Sequence, residues 1–143
     1  MPESSIELVR NGYDAWNSGD RRWVLDHMTA DAEWVQPHDD PDARTYVGHD
    51  AILEFWEQWR AAVGQLHFEP LEIDVEGDDV VVRTRRTGRG THSGLEVGDE
   101  VIQVFSFDSD GKCRRIREFY DRNEAIASLS RRGAGDEEWP SRS

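Results

Sequence analysis

The sequence predicts one α+β domain: a curved, mostly antiparallel sheet, three N-terminal helices that close a pocket against it, and a short C-terminal helix. Three observations predict it. Apolar residues recur at helical spacing as far as Val63, they alternate with period two from Leu71 to Tyr120, and Gly and Asp-Gly signals punctuate the second half. A chain of 143 residues suits one cored domain and is too short for two of ordinary size. The domain is expected over residues 1–132, with 133–143 as a loosely ordered tail of low apolar content that carries Trp139.

Ser4 and Glu7 have capping-box spacing, and Ile6, Val9, Tyr13 and Trp16 then mark one face of a first helix. Asn17-Ser18-Gly19 stops it, and Asp20 can cap a second short helix carrying Trp23, Val24 and Met28. Alternation from Ala32 to Gln36 predicts a short strand ended by Pro37, with Ala32, Trp34 and Gln36 on one side. His38 to Gly48 is polar and aperiodic, so a loop is expected. The third helix carries Ile52, Phe55, Trp56, Trp59 and Val63 between Asp50 and Gly64.

The period then changes to two. Leu71, Ile73 and Val75 alternate with acidic residues, Gly77-Asp78-Asp79 turns the chain, and Val80 to Thr87 returns as a strand. Gly88, Gly90 and Gly94 mark bulges or a bend before an expected Gly98-Asp99 turn. Val101 to Phe107, the Asp108–Gly111 turn and Lys112 to Tyr120 complete the meander. Asp121 and Glu124 again have capping-box spacing, ahead of Ile126 and Leu129 on a last helix.

Composition narrows the function classes. Six Trp, five Phe and three Tyr supply core that the 36% hydrophobic content alone would leave thin. A net charge of -13 argues against nucleic acid and anionic membranes, both of which need clustered Lys and Arg, and favours a neutral or weakly charged ligand. Cys113 is the only cysteine, which excludes an intrachain disulfide and suits a reducing interior; with no signal-peptide pattern or long apolar run, a cytoplasmic protein is expected. The five histidines, at 27, 38, 49, 67 and 92, lack ligand spacing, so no catalytic metal or other cofactor is expected. Arg83 and Arg85 should face the outside of the sheet as an ion-pair ladder, while Arg86 joins Val80, Val82 and Thr84 on the other face.

Five stretches carry a family likeness: Trp16-Asn17-Ser18-Gly19-Asp20, Thr29 to Trp34, Tyr46 to Ile52, Asp110-Gly111-Lys112 and Glu118 to Arg122. With the order of elements, the chain resembles the NTF2-like superfamily over roughly residues 5 to 130, and most of all its SnoaL-like and ketosteroid-isomerase-like branch. The resemblance implies a cystatin-like cone, a curved mixed but mostly antiparallel sheet whose concave side the three N-terminal helices close around a deep pocket, and a homodimer through the open sheet face. The absence of an expected helix over that face adds to the dimer expectation.

In ketosteroid isomerases of this fold an Asp base works with a Tyr and a protonated Asp. The resemblance puts those roles on Gln36, Gly12 and Gln103, which cannot perform them, so that isomerisation is not expected. Tyr13, one residue on from Gly12, should point elsewhere on the helix. Gln36 and Gln103 remain ligand-binding candidates, as amides that both donate and accept, with Tyr120, Trp34, Phe55, Trp56 and Trp16 as walls of the pocket; backbone satisfaction and plain core are the bland alternatives.

His38, two residues beyond Gln36, is the first candidate proton carrier. With Asp39, Asp40 and Asp42 it makes an acid-base pair, a loop metal site or simply a solvated loop. Asp121 is a second candidate, although capping the final helix explains it without chemistry. Two functions follow. One is a cofactor-independent isomerase, cyclase or hydratase acting on a small, largely apolar, oxygenated molecule; the other is a non-catalytic module that binds or senses such a molecule.

Overall fold

The computed structural model describes residues 2–41, 43–64, 66–89 and 96–132. Asp42, His92, Gly90, Gly94, Trp139 and the tail lie outside them, as do the Ser4 and Val63 side chains. Helix α1 (Pro2–Asn17) begins with a proline, whose fixed φ and missing N–H suit a first turn. Its inner face buries Val9, Tyr13 and Ala15. Its end is fastened to the sheet by Asn17, which exchanges two 2.8 Å hydrogen bonds with the backbone N–H and C=O of Phe68, and by the Trp16 indole, which donates to Leu66 O at 2.9 Å. Gly19 turns the chain at φ 85°, and Asp20 caps α2 (Arg21–Asp26) by accepting from Trp23 N.

Strand β1 (Met28–Val35) starts earlier than alternation alone indicated, so Met28 opens a strand instead of closing a helix, and Gln36 lies beyond its end. Within the expected loop, Thr45–Val47 forms β2, whose three residues are too few to show a period. Helix α3 (His49–Val63) follows, then β3 (His67–Glu76), β4 (Asp79–Arg89), β5 (Glu96–Phe107), β6 (Cys113–Phe119) and α4 (Arg122–Arg132). Gly98 and Asp99 are not a turn. They pair with Thr87 and Arg86 inside the β4–β5 ladder.

The sheet order is β2-β1-β6-β5-β4-β3. All pairings are antiparallel except β1 with β6, which is parallel, so the sheet is mixed. The inner face meets α1 and α3 in an aromatic core. Trp16 lies edge-on to Trp56 at 5.0 Å, Trp34 to Trp56 at 5.8 Å, and Phe55 stacks on Tyr46 at 4.2 Å.

The outer face corrects one expectation. Helix α4 packs there, and Ala125 and Leu129 join Val81, Ile102 and Val104 in a second buried cluster. A helix therefore covers part of the face on which the dimer argument relied. The remainder carries the ion-pair ladder: Arg83 meets Glu72 at 3.2 Å and Glu100 at 3.1 Å, and Arg85 meets Glu100 at 3.6 Å. Exposed pairs of this kind contribute little to stability, because solvent screens them. No helix among the described residues is long and apolar enough to cross a membrane.

Candidate functional site

Period-two alternation and strand register bring Thr84, Arg86, Asp99, Gln103 and Glu118 to the inner face together. Arg86 lies opposite Asp99 and Gln103 opposite Glu118. Tyr13 reaches them from α1. Its hydroxyl lies 2.8 Å from Thr84 Oγ1 and donates to Gln103 Oε1 at 2.6 Å. Gln103 Nε2 donates to Glu118 Oε2 at 2.9 Å, and Arg86 Nη1 lies 3.6 Å from the same oxygen. Arg86 also grips Asp99 through two bonds of 2.9 and 2.7 Å and sits 5.6 Å over the Trp59 ring. One polar string thus runs through an otherwise aromatic interior.

Burial sets the electrostatics of this string. It pushes the Tyr13 hydroxyl well above its ordinary range, which keeps it a neutral donor. Burial alone would lower Arg86, but the Asp99 and Glu118 carboxylates outweigh it and the guanidinium stays charged. The Glu118 side chain has no exposed surface, and burial raises its pKa although Arg86, Gln103 and the Trp34 indole pull it back. Neither Glu118 Oε1 nor Trp34 Nε1 has a partner of hydrogen-bond geometry. Because the folded pKa of Glu118 is raised, its contribution to stability is complete below the unfolded carboxylate range and is lost as pH rises through the folded value. Glu118→Gln should therefore flatten the fall of the unfolding midpoint with rising pH and stand about 2–4 °C above the wild type on the alkaline side, as thermal melts across pH would read.

Two cavities flank the Gln103–Glu118 bond. On the Glu118 side, about 240 Å³ is lined by Gln36, Asp40, Trp59, Leu66, Arg86, Asp99 and Glu118, with Pro37 and Gly98. On the other side, about 70 Å³ lies between α1, α2 and the sheet, walled by residues such as Val9, Val24, Met28, Phe68 and Ile116, with Tyr13 and Gln103 at its base. Cys113 also borders the smaller one, its thiol pushed up to about 12 by burial, which leaves it unreactive near neutrality.

The residues singled out in the sequence separate. Gln103 is central to the string. Gln36 borders the larger cavity, but its Oε1 accepts from Arg44 N at 3.1 Å and so fastens the loop. Tyr120 is 40% exposed and donates to Asp40, an arrangement that lifts its phenol to about 12, through burial first and that bond second. Trp16 and Trp34 wall the smaller cavity, whereas Phe55 and Trp56 lie in the core; Trp56 touches only a 10 Å³ gap beside Trp16.

His38 and Asp121 border neither of these two cavities. His38 bonds Glu124 at 2.8 Å and lies 3.2 Å from Asp39, an exposed trio that ties the loop to α4; the Glu124 bond, then the Asp39 charge, raises its pKa. Asp121 accepts from Asn123 N at 2.8 Å as the cap of α4, while Glu124, the other half of the expected capping box, is spent on His38.

Sequence reasoning missed Glu118, Asp99 and the orientation of Tyr13. Tyr13 does not point away from the site: its hydroxyl sits on Gln103. The turn alone did not reveal Glu118: Phe107 pairs with Cys113, which would set Gln103 opposite Arg117, and an irregularity between Ser106 and Phe107 moves the register by one residue to Glu118.

Comparison with known proteins agrees with this architecture. No curated protein matches. Among solved structures, an NTF2-like protein of unknown function from Burkholderia pseudomallei K96243 is 22% identical with TM-score 0.73, over 87% of this chain and 95% of that one. A protein described as a SnoaL-like polyketide cyclase, from Jannaschia sp. CCS1, is 22% identical with TM-score 0.71, over 90% of each chain. TerC, co-crystallised with polyporic acid, is 26% identical with TM-score 0.72, over 88% and 97%. The SnoaL-like domain matches residues 9–116, most of the chain and all of its sheet up to the middle of β6, and the protein belongs to that family.

Proposed function

We propose that this SnoaL-like protein binds a small, neutral, largely apolar molecule with an oxygen function in the 240 Å³ cavity, and moves a proton on it without a cofactor, as an isomerase, cyclase or hydratase does. One observation carries this reading: a fully buried carboxyl, Glu118, borders that cavity with Oε2 held by Gln103 and Oε1 near the Trp34 indole but without a partner of hydrogen-bond geometry. A carboxyl raised by burial gives and retakes a proton near neutrality more readily than an ordinary glutamate. Arg86 faces the ligand's oxygen, Trp59 and Leu66 take its apolar body, and Tyr13 with Gln103 position the carboxyl. The co-crystallisation of TerC with polyporic acid supports a small organic molecule as the ligand class.

A ligand screen by thermal shift, using ketosteroids, polyketide-like aromatics, terpenoid epoxides and fatty acids, tests it. A compound that stabilises the wild type should be turned over, and Glu118→Gln should bind it comparably while turning it over about 10²–10⁴-fold more slowly. Equal turnover by the variant removes Glu118 from the chemistry. The second reading, a binding or sensing module, is favoured by one observation: Glu118 has no exposed surface behind Arg86, so a guest meets Arg86 and Asp99 first. Stabilisation without turnover selects it.

A further inference from the structure

Helix α1 contains a glycine that the backbone does not require. Gly12 lies in the helix interior without a positive φ, and a Cβ built on it would find only Trp23 Cζ3, at an ordinary 3.8 Å. Glycine disfavours a helix several-fold relative to alanine, and neither strain nor close backbone approach offsets that here. What the missing side chain leaves open is the 70 Å³ cleft, on whose wall Gly12 lies beside Trp23 and Val24.

The chemistry of the cleft selects its guest. Its walls are almost entirely apolar, and the polar atoms at its base are already engaged with one another, Tyr13 with Thr84 and Gln103, and Gln103 with Glu118. A guest there finds chiefly apolar contact, with the buried Trp34 Nε1 as an unpaired donor on the wall and His27 already bonded to Trp23 O, so a strongly polar guest would lose its hydration largely uncompensated. We infer that the cleft between α1, α2 and the sheet is a second ligand compartment, separate from the Glu118 cavity, that admits a hydrocarbon group of a few carbon atoms, and that Gly12 sets its size. The volume is about half that of the engineered ~150 Å³ apolar cavity known to take benzene or xenon. A larger guest must displace α2, a helix of six residues none of which is buried.

Xenon tests this with no need of the natural ligand, and independently of Glu118. In the wild type, xenon should shift the methyl resonances of Val24, Met28 and Ile116 saturably. Gly12→Ala should melt about 3 °C higher and still bind xenon. Gly12→Leu, or Val24→Phe from α2, should abolish the saturable shift while the chain remains folded by circular dichroism. The inference is overturned if wild-type methyls do not respond, if both filling variants still bind xenon, or if Gly12→Ala melts lower, which would make the glycine structural. Failure of the ligand screen leaves these outcomes unaffected, and their failure leaves the Glu118 reading intact.

Discussion

Arg86→Met is expected to lower the unfolding free energy by about 3 kcal/mol at neutral pH, or about 10 °C in midpoint. Arg86 is the cation shared by Asp99, at 2.7 Å, and Glu118, at 3.6 Å. Methionine keeps much of the packing on Trp59 but leaves both acids without a counter-charge. The loss stays near the lower end for a broken buried pair because the Asp99 side chain is 44% exposed and can be hydrated. Glu118 has no such recourse except to take a proton. Its folded pKa, already raised, rises further, so the variant should lose progressively more stability as pH climbs and recover on acidification. Urea unfolding at pH 5 and pH 8 checks this, and adding Glu118→Gln to Arg86→Met should restore much of the pH 8 loss. A pH-independent loss would mean that Arg86 acts only through packing.

Trp56→Ala should destabilise by about 3–5 kcal/mol, enough to expose the domain to unfolding at growth temperatures. Trp56 is 1% exposed and packs edge-on against both Trp16 and Trp34, and Trp16 cannot move into the vacated volume without breaking its bond to Leu66 O. Trp56→Phe should be much milder. Its loss of buried area is partly offset because the Trp56 indole N–H is buried without a hydrogen-bond partner, and removing such a donor recovers about 1–3 kcal/mol. Denaturant midpoints for the two variants read the difference. Similar values for both would show that the core relaxes around position 56 instead of holding a cavity open.

The architecture was legible because it rests on periodicity. Helical spacing of Trp and Phe located α1 and α3, and alternation located β3 to β6 and put Arg86 on the opposite face from Arg83 and Arg85. Where the period is too short, or pairing overrides a turn signal, the reading slipped: β2 has three residues, and Gly98-Asp99 is held extended by its partners Thr87 and Arg86. The site was less legible. Gln103 was found by likeness, but its partners Tyr13 and Glu118 are 90 and 15 residues away, and no local pattern encodes a contact across such separations.

By itself, then, the sequence determined the α+β class, the order of helices and meander, the aromatic character of the interior and the exposed ladder of charge on the outer sheet face. These follow from short-range spacing, which decides which side of each element faces inward. Only the tertiary structure decided that α4 lies over Val81, Ile102 and Val104, that His38 and Asp121 serve the loop and the helix cap, and that a buried Glu118 borders one cavity while its partner Gln103 borders another. The physical reason is that burial and pairing are properties of the assembled chain. A glutamate in an alternating strand is an ordinary surface acid until the elements around it take its water away.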